Sequence, residues 1–172
     1  MDVRRENEKP LMKNLTAVER TSEREFVVTR TFDAPARLVF EAWTKPELLK
    51  RWWAPKSMGA SLLSCEVDAR VGGSYRFGFG QGGTETIAFF GKYIEVNPHS
   101  RLVWTNEEGD GGPAVTTMTL EEKAGKTLLV LHELYRSKEV RDAALASGAY
   151  DGMGETFGQL DEVLVTLGPK PT

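Results

Sequence analysis

The stretch Tyr150–Leu167, YDGMGETFGQLDEVLVTL, decides how the rest of the chain is interpreted. Its large apolar side chains recur every three or four residues, the spacing of a helix with one buried face. These side chains are Tyr150, Met153, Phe157, Leu160, Leu164 and Leu167. At about 1.5 Å per residue the helix would be roughly 27 Å long, enough to cross a small domain. It is therefore the element expected to cover the strands that precede it.

The first half of this helix contains Gly152, Gly154 and Gly158. A glycine in a helix interior costs about 1 kcal/mol relative to alanine. Glycines at these positions therefore indicate either a close approach of backbones or a space beside the helix. We predict that the first half forms the wall of a pocket and that the leucine-rich second half anchors the helix to a sheet.

The chain ahead of this helix opens with a strand and two short helices. The stretch 24–32, REFVVTRTF, alternates apolar and polar residues as a strand does. Asp33, placed before an Ala-Pro pair, predicts the start of a helix. Thr44 and Glu47 have the spacing of a capping box, which predicts a second helix that Pro55 ends. Two short helices after a strand form a helical corner.

The chain then changes to a period of two, which predicts six strands separated by turn residues. The predicted strands are Leu62–Ala69, Ser74–Gly80, Thr86–Val96, Arg101–Asn106, Val115–Glu122 and Thr127–Leu134. A brief helix from Ser137 to Ala146 follows them. This order predicts an α+β fold with a curved antiparallel sheet of six to seven strands wrapped round the C-terminal helix. Residues 1–22 are predicted to be a tail or accessory segment, and residues 23–172 one domain.

Composition limits the function classes that fit the chain of 172 residues. A net charge of −3 argues against nucleic acid as the main partner. Cys65 is the single cysteine and the histidines number two, so neither a disulfide nor a metal site is expected. No apolar run approaches about 18 residues and no signal-peptide core is present, so we expect a cytoplasmic protein without a membrane span.

Several separate motifs together match a known family. They are RTFDAPARLVFEAWTKPELLKRWWAP, EVDARVGGSYRF, FFGKYIEVNPHSRLVWT, GKTLLVLHELY and SGAYDGMGETFGQLDEVL. Over about residues 24 to 168 the chain resembles the START-like (SRPBCC) superfamily, and within it the bacterial Hsp90-ATPase-activator-homologue-like branch. The resemblance implies a helix-grip fold, in which the sheet bends round the last helix and leaves an elongated internal cavity. It also implies that Trp53 lies near the mouth of that cavity.

The aromatic and large apolar side chains are the predicted lining of the cavity. They are Trp53, Tyr75, Phe77, Phe79, Trp104, Met118, Tyr150, Met153 and Phe157. Such a set suits a flat or oily ligand, with the tyrosine hydroxyls fixing its orientation. The alternative is that these side chains fill an ordinary core.

Glu133 and Glu95 are weak candidates for an acid–base group. Strand alternation places Glu133 on the side of its leucine neighbours, towards the cavity, and places His132 outside. A carboxylate in an apolar interior is costly unless it is paired with an arginine such as Arg76, or with a ligand. Glu95 is in phase with Tyr93. The alternative for both glutamates is an ion pair or a solvated strand end.

We therefore predict a domain that binds a small hydrophobic or amphipathic molecule, without catalysis, cofactor or metal. A polyketide-cyclase-like or hydratase-like enzyme using a cavity carboxylate is the second hypothesis. An interaction module resembling an Hsp90 co-chaperone is the third. A homodimer is left open by the sequence.

Overall fold

The computed structural model describes residues 16–59, 61–107, 114–146 and 152–168, and these contain eight strands and four helices. The strands are β1 (Ala17–Ser22), β2 (Glu25–Phe32), β3 (Ser61–Val67), β4 (Ser74–Gln81), β5 (Thr84–Asn97), β6 (Arg101–Asn106), β7 (Ala114–Lys123) and β8 (Lys126–Leu134). The helices are α1 (Ala36–Thr44), α2 (Pro46–Trp52), α3 (Lys138–Ala146) and α4 (Met153–Leu167). A 3₁₀ turn, Lys56–Met58, joins α2 to β3.

The strands form one antiparallel sheet in the order β1-β2-β8-β7-β6-β5-β4-β3, which confirms the predicted α+β helix-grip fold. The sheet has one strand more than expected, because residues 17–22 pair with β2 and place Val18 opposite Val28. Residues 17–22 thus form an edge strand within the segment that was predicted to be a tail or accessory segment. In this edge strand Val18 is 44% exposed. Its sequence lacks the alternation that marks a buried strand.

One face of the sheet, here called the inner face, carries the apolar core together with the helices. In β2 the buried side chains are Phe26, Val28, Arg30 and Phe32, and the residues between them are partly exposed. The predicted alternation of this strand is confirmed. Arg30 is in phase with the three apolar residues, so the sheet carries a charge on its inner face.

Both helices of the corner form where they were predicted, but their capping was predicted wrongly. Pro35, not Asp33, is the N-cap of α1, and the Ala36 amide donates to the Glu122 carboxylate at 2.8 Å. Lys45 is the N-cap of α2, while the Thr44 hydroxyl donates back to the preceding turn of α1. Local spacing predicted that a neighbouring side chain would accept a hydrogen bond at the start of the helix. For α1 the acceptor is instead Glu122, which lies on a distant strand.

The Gln159 side chain of α4 joins this helix to the corner. Its Oε1 accepts from the Lys56 amide at 2.9 Å, and its Nε2 donates to the carbonyl oxygens of Trp52 and Ala54, each at 2.9 Å. These bonds satisfy the Trp52 carbonyl at the end of α2 and two backbone groups of the segment that follows it. They also hold Ala54 in its left-handed conformation, with φ of 77°.

The predicted anchor of α4 is confirmed, because Leu160 and Leu164 are buried in the core. Gln159 and Val163 are buried as well, since α4 packs on α2 in addition to covering the sheet. The helix begins at Met153. Tyr150, which the sequence assigned to the same stripe, lies outside the described residues.

The glycines of α4 divide between the two explanations that the sequence left open. A Cβ atom on Gly152 would lie 2.5 Å from Cγ of Pro55, so close approach accounts for this position. A Cβ on Gly154 or Gly158 would meet no atom within 4 Å, so close approach does not account for these two positions, and Gly154 is exposed. None of the four described helices combines the length and apolar character needed to span a membrane.

Replacement of Leu164 by alanine should lower the free energy of unfolding by about 2–5 kcal/mol, because it leaves a void beneath α4. Leu164 is 4% exposed, whereas its neighbour Val165 is 82% exposed. Val165→Ala is therefore the matched control, with an expected change within about 0.5 kcal/mol. Urea denaturation followed by circular dichroism measures both. Equal losses from the two variants would contradict the packing described for α4.

Candidate ligand-binding site

A row of side chains crosses the inner face over five neighbouring strands. Cα pairing aligns Phe26 with Glu133, Glu133 with Thr116, Thr116 with Trp104, and Trp104 with Tyr93. All five side chains are buried, none being more than 9% exposed. We call this set the inner row. Its middle is polar, and aromatic rings stand on both sides.

A chain of hydrogen bonds leads from β4 to the glutamate of the inner row. The Asn106 amide Nδ2 donates to the Thr116 hydroxyl at 2.8 Å, and that hydroxyl donates to Oε2 of Glu133, also at 2.8 Å. The Tyr75 hydroxyl donates to the Thr105 carbonyl oxygen at 2.7 Å and lies 3.1 Å from Oδ1 of Asn106. Buried polar groups of this kind are tolerated because they are bonded to one another.

The structure confirms the predicted direction of Glu133 and corrects its predicted partner. Glu133 is buried on the inner face, while His132 faces outward and contacts the Glu25 carboxylate. Arg76 also lies on the outer face, where it pairs with Glu85 at 2.5 Å. Its neighbours on β4 point inward, so strand alternation turns Arg76 away from the core. The Thr116 hydroxyl is one group that bonds Glu133 in this interior.

Glu95 does not face the interior, and the prediction for it was wrong. Between Tyr93 and Glu95 the pairing of β5 with β6 shifts by one residue, which marks a β-bulge. After the bulge Val96, not Glu95, packs against the core. Glu95 instead pairs with Arg101 at 2.7 Å, with both side chains 42% exposed. An extra residue reverses the alternation that the sequence argument assumed.

Several of the predicted aromatic lining residues lie together around Trp43 of α1. The Trp43 ring lies 5.4 Å from that of Trp53, 5.8 Å from Trp104 and 6.4 Å from Phe157. Trp53 in turn lies 5.4 Å from Phe77. Three-residue spacing from Phe40 in α1 would have placed Trp43 on the buried face of that helix. The predicted residues thus belong to one aromatic cluster.

The remaining predicted lining residues differ in exposure. Met118 is fully buried on β7, next to the inner row, and Met153 is half-buried at the start of α4. Phe79 is buried on β4 and makes an edge contact with Phe89 of β5, at 5.5 Å between ring centroids. Phe89 shares the inner face with Phe79, yet it is 37% exposed. The inner face is thus partly uncovered at this end.

Two depressions lined by described residues lie outside the aromatic cluster. The first, about 350 Å³, is lined by Arg24, Val115, Leu134, Tyr135 and Arg136. The second, about 490 Å³, is lined by residues of α3. Neither is the predicted cavity between sheet and α4. In this structure the predicted lining side chains pack against one another.

Arg30 and Asp161 form a second polar contact on the inner face that the sequence argument missed. The guanidinium donates to Oδ2 of Asp161 at 2.5 Å and lies over the Phe32 ring at 4.9 Å. The signal was available, because Arg30 follows the same alternation as Phe26 and Val28. Thr116 could have been found in the same way, from its phase with the buried residues of β7.

Burial also raises the pKa of two ionisable side chains. Desolvation raises the pKa of the half-buried Cys65 thiol to about 11, and it raises the pKa of the Tyr93 phenol. Both groups are therefore neutral near pH 7. On the outer face, the hydrogen bond from Ser22, followed by that of His132, lowers the pKa of the Glu25 carboxyl. Within the described ranges, no three histidine, cysteine or acidic residues are grouped to hold a metal ion.

An antiparallel sheet that carries its core against a long C-terminal helix, with a helical corner after β2, defines the helix-grip class. Within that class the family model described as "Activator of Hsp90 ATPase homolog 1-like protein" matches residues 33–165. The chain belongs to this family.

Solved structures of bacterial proteins agree with this assignment. A protein of Rhodobacter sphaeroides is 27% identical, with a TM-score of 0.81, covering 88% of this chain and 99% of its own. A Chromobacterium violaceum protein is 28% identical, with a TM-score of 0.70 and coverage of 83% and 98%. A Nitrosomonas europaea protein is 25% identical, with a TM-score of 0.75 and coverage of 86% and 98%. Among curated proteins no match was found.

Thr116→Val should lower the free energy of unfolding by about 1–3 kcal/mol, because it removes only the hydroxyl that links Asn106 to Glu133. Thr117→Val is the control, since Thr117 lies next along β7 but points to the outer face. Urea denaturation of the two variants gives the comparison. A Thr116→Val protein as stable as the control variant would show that the buried chain contributes nothing to stability.

Proposed function

We propose that the protein binds a small amphipathic molecule against the inner row, with its polar end at Glu133 and its apolar part among the aromatic rings. The observation that carries this proposal is the placement of a bonded carboxylate and hydroxyl between aromatic side chains on the inner face. A few polar groups that converge in an apolar surround are the usual composition of a small-molecule site. Membership of a helix-grip family agrees with it.

The energetics of the inner row favour a functional role for its polar pair. Burial of a carboxylate is costly, and an apolar residue of similar size is often as stable or more stable at such a position. Compared with an apolar pair, the Glu133–Thr116 pair therefore gives little advantage in stability. Contact with a ligand would give these two polar residues a function.

Binding would require the aromatic side chains to move, because they are in contact with one another in this structure. A pocket of this kind is a minor conformation that the ligand stabilises. The uncovered end of the inner face, where Phe89 is partly exposed and Trp53 half-buried, is the place at which such a molecule would enter. This position agrees with the placement of Trp53 near the mouth.

The enzyme hypothesis is reduced to Glu133, since Glu95 lies on the outer face. Proton transfer by Glu133 would need a substrate atom within hydrogen-bond distance of the carboxylate. Binding without a reaction requires only that a ligand contact the inner row, and not that a reacting atom lie beside the carboxylate.

The neutral fluorescent dye N-phenyl-1-naphthylamine should bind the protein saturably, with enhanced emission. Phe89→Ser should weaken its binding about fivefold or more, because the substitution removes apolar surface at the entrance. Phe90→Ser is the matched control: Phe90 is the next residue, 43% exposed, and it points to the outer face. Fluorescence titration measures both. Equal weakening by the two variants would place the dye on the surface of the hairpin and contradict the proposal.

A second candidate function, interaction with an Hsp90-type chaperone, follows from the family description together with exposed apolar residues on the outer face. Phe90 and Ile94 of β5 are 43% and 50% exposed. Such side chains suit a protein contact. A saturating amount of the protein should then stimulate ATP hydrolysis by a bacterial Hsp90, and Phe90→Ser should reduce the effect. Absence of stimulation in a steady-state ATPase assay would dispose of this candidate.

A further inference from the structure

We infer that the indole N–H of Trp43 donates a hydrogen bond to the bound molecule, whose apolar part therefore carries an uncharged acceptor. A ketone, ester or ether oxygen has this chemistry. The inference rests on the proposed function, because it concerns the aromatic cluster in which that apolar part is placed. It adds a polar contact and a ligand class that the inner row does not specify.

The indole nitrogen of Trp43 is a buried donor without an acceptor. The residue is 4% exposed, and its Nε1 atom is itself buried. Among the described residues, no group accepts a hydrogen bond from this nitrogen. A buried donor that lacks a partner lowers stability, and such groups are rare in native proteins. The packing of the ring does not require the N–H group, so folding alone does not account for it.

The neighbouring Trp52 shows how an indole is satisfied in the same helical corner. Its Nε1 donates to the Ala42 carbonyl oxygen at 3.0 Å, and its ring lies 5.0 Å from that of Trp43. Helix ends offer such carbonyl groups, because the last turn leaves them without partners inside the helix. Trp43 is the penultimate residue of α1, yet its N–H reaches no carbonyl oxygen of the described residues. Proximity to a helix end therefore satisfies one of these two indoles and not the other.

Aromatic rings surround Trp43 and give its N–H group no oxygen acceptor. The Trp43 ring makes edge contacts with the rings of Trp52 and Trp53, at 65° and 82° between the ring planes. A contact between an N–H group and the face of a ring is weaker than a hydrogen bond to oxygen. A ligand oxygen placed among these rings would be the better partner. The ring of Trp104, which belongs to the inner row, lies 5.8 Å away, so this donor stands beside the proposed site.

The surroundings of Trp43 favour an uncharged acceptor over an anion. The rings that contact it are uncharged, and they are Trp52, Trp53, Trp104 and Phe157. Transfer of an ion from water to an apolar environment costs far more than transfer of a neutral carbonyl group. The negative face of an aromatic ring also repels an anion. A carbonyl or ether oxygen therefore matches this donor, whereas a carboxylate or phosphate does not.

Three probes test the inference: butyrophenone, butylbenzene and 4-phenylbutanoate. Butyrophenone differs from butylbenzene only by a carbonyl group in place of the first methylene group, so the pair isolates the acceptor. Each probe displaces N-phenyl-1-naphthylamine from the protein at pH 7, and fluorescence gives its affinity. The ratio of the ketone affinity to the hydrocarbon affinity is then compared between protein variants, which cancels the difference in hydration of the two probes.

Replacement of Trp43 by 3-benzothienylalanine, which has sulfur in place of the N–H group, keeps the fused ring and removes the donor. The ratio should fall about fivefold or more, because the ketone loses one hydrogen bond and the hydrocarbon loses nothing. The same replacement at Trp52 is the control. Its N–H is already bonded to Ala42, so the ratio should stay unchanged. The affinity of the neutral dye reports that both variants are folded.

Several outcomes would overturn the inference and leave the proposed function standing. An unchanged ratio in the Trp43 variant would show that its N–H does not bond the ketone. An equal fall in both variants would assign the effect to ring packing. In the wild-type protein 4-phenylbutanoate should bind more weakly than butyrophenone, and tighter binding would contradict an uncharged acceptor. If neither the dye nor any of the three probes binds, the proposed function itself is wrong.

The wild-type protein provides a second measurement should the Trp43 variant fail to fold. Labelled with nitrogen-15 at tryptophan, the chain gives one indole N–H signal for each of its 4 tryptophans. Saturation with butyrophenone should move the Trp43 proton to higher frequency than saturation with butylbenzene, because a hydrogen bond to oxygen deshields the donated proton. The Trp52 signal should be the same with both probes. Identical Trp43 signals in the two complexes would overturn the inference.

Discussion

The side-chain amide of Gln159 is the contact on which the arrangement of sheet and helices depends. It bonds three backbone groups between Trp52 and Lys56, and so fixes α4 against the end of α2. Held there, α4 turns Leu160 and Leu164 into the core. A hydrogen-bonded clamp fixes the position and rotation of a helix more narrowly than apolar packing, which is non-directional.

The core that α4 covers is apolar and aromatic except along the inner row and at the Arg30–Asp161 contact. These polar groups are bonded, so they are compatible with folding, but they lower stability relative to an apolar core. Their concentration on the face that this fold covers with helices is the basis of the proposed binding site. The close contacts around Trp43 mean that a ligand would have to displace side chains in order to reach Glu133.

The success of the sequence argument varied with the regularity of the strand concerned. Glu133 was assigned correctly to the interior because β8 pairs without interruption on both sides. Glu95 was assigned wrongly because a bulge in β5 reverses the alternation beyond Tyr93. Arg30 and Thr116 alternate in step with the buried residues of their strands, which the sequence shows. They were missed because polar residues at such positions were not counted as inward. The sequence argument identified aromatic residues that lie together, but it did not predict that they pack around Trp43.

By itself the sequence determined the α+β helix-grip class, the family and the inward side of each regular strand. These properties depend on local periodicity and on motifs that lie within a few residues of one another. Tertiary structure alone decided that β1 joins the sheet, that Glu122 bonds the start of α1, and that Thr116 bonds Glu133. Each of these contacts joins residues that are distant in sequence or on different strands. Their geometry is set by pairing register, which short-range periodicity does not contain.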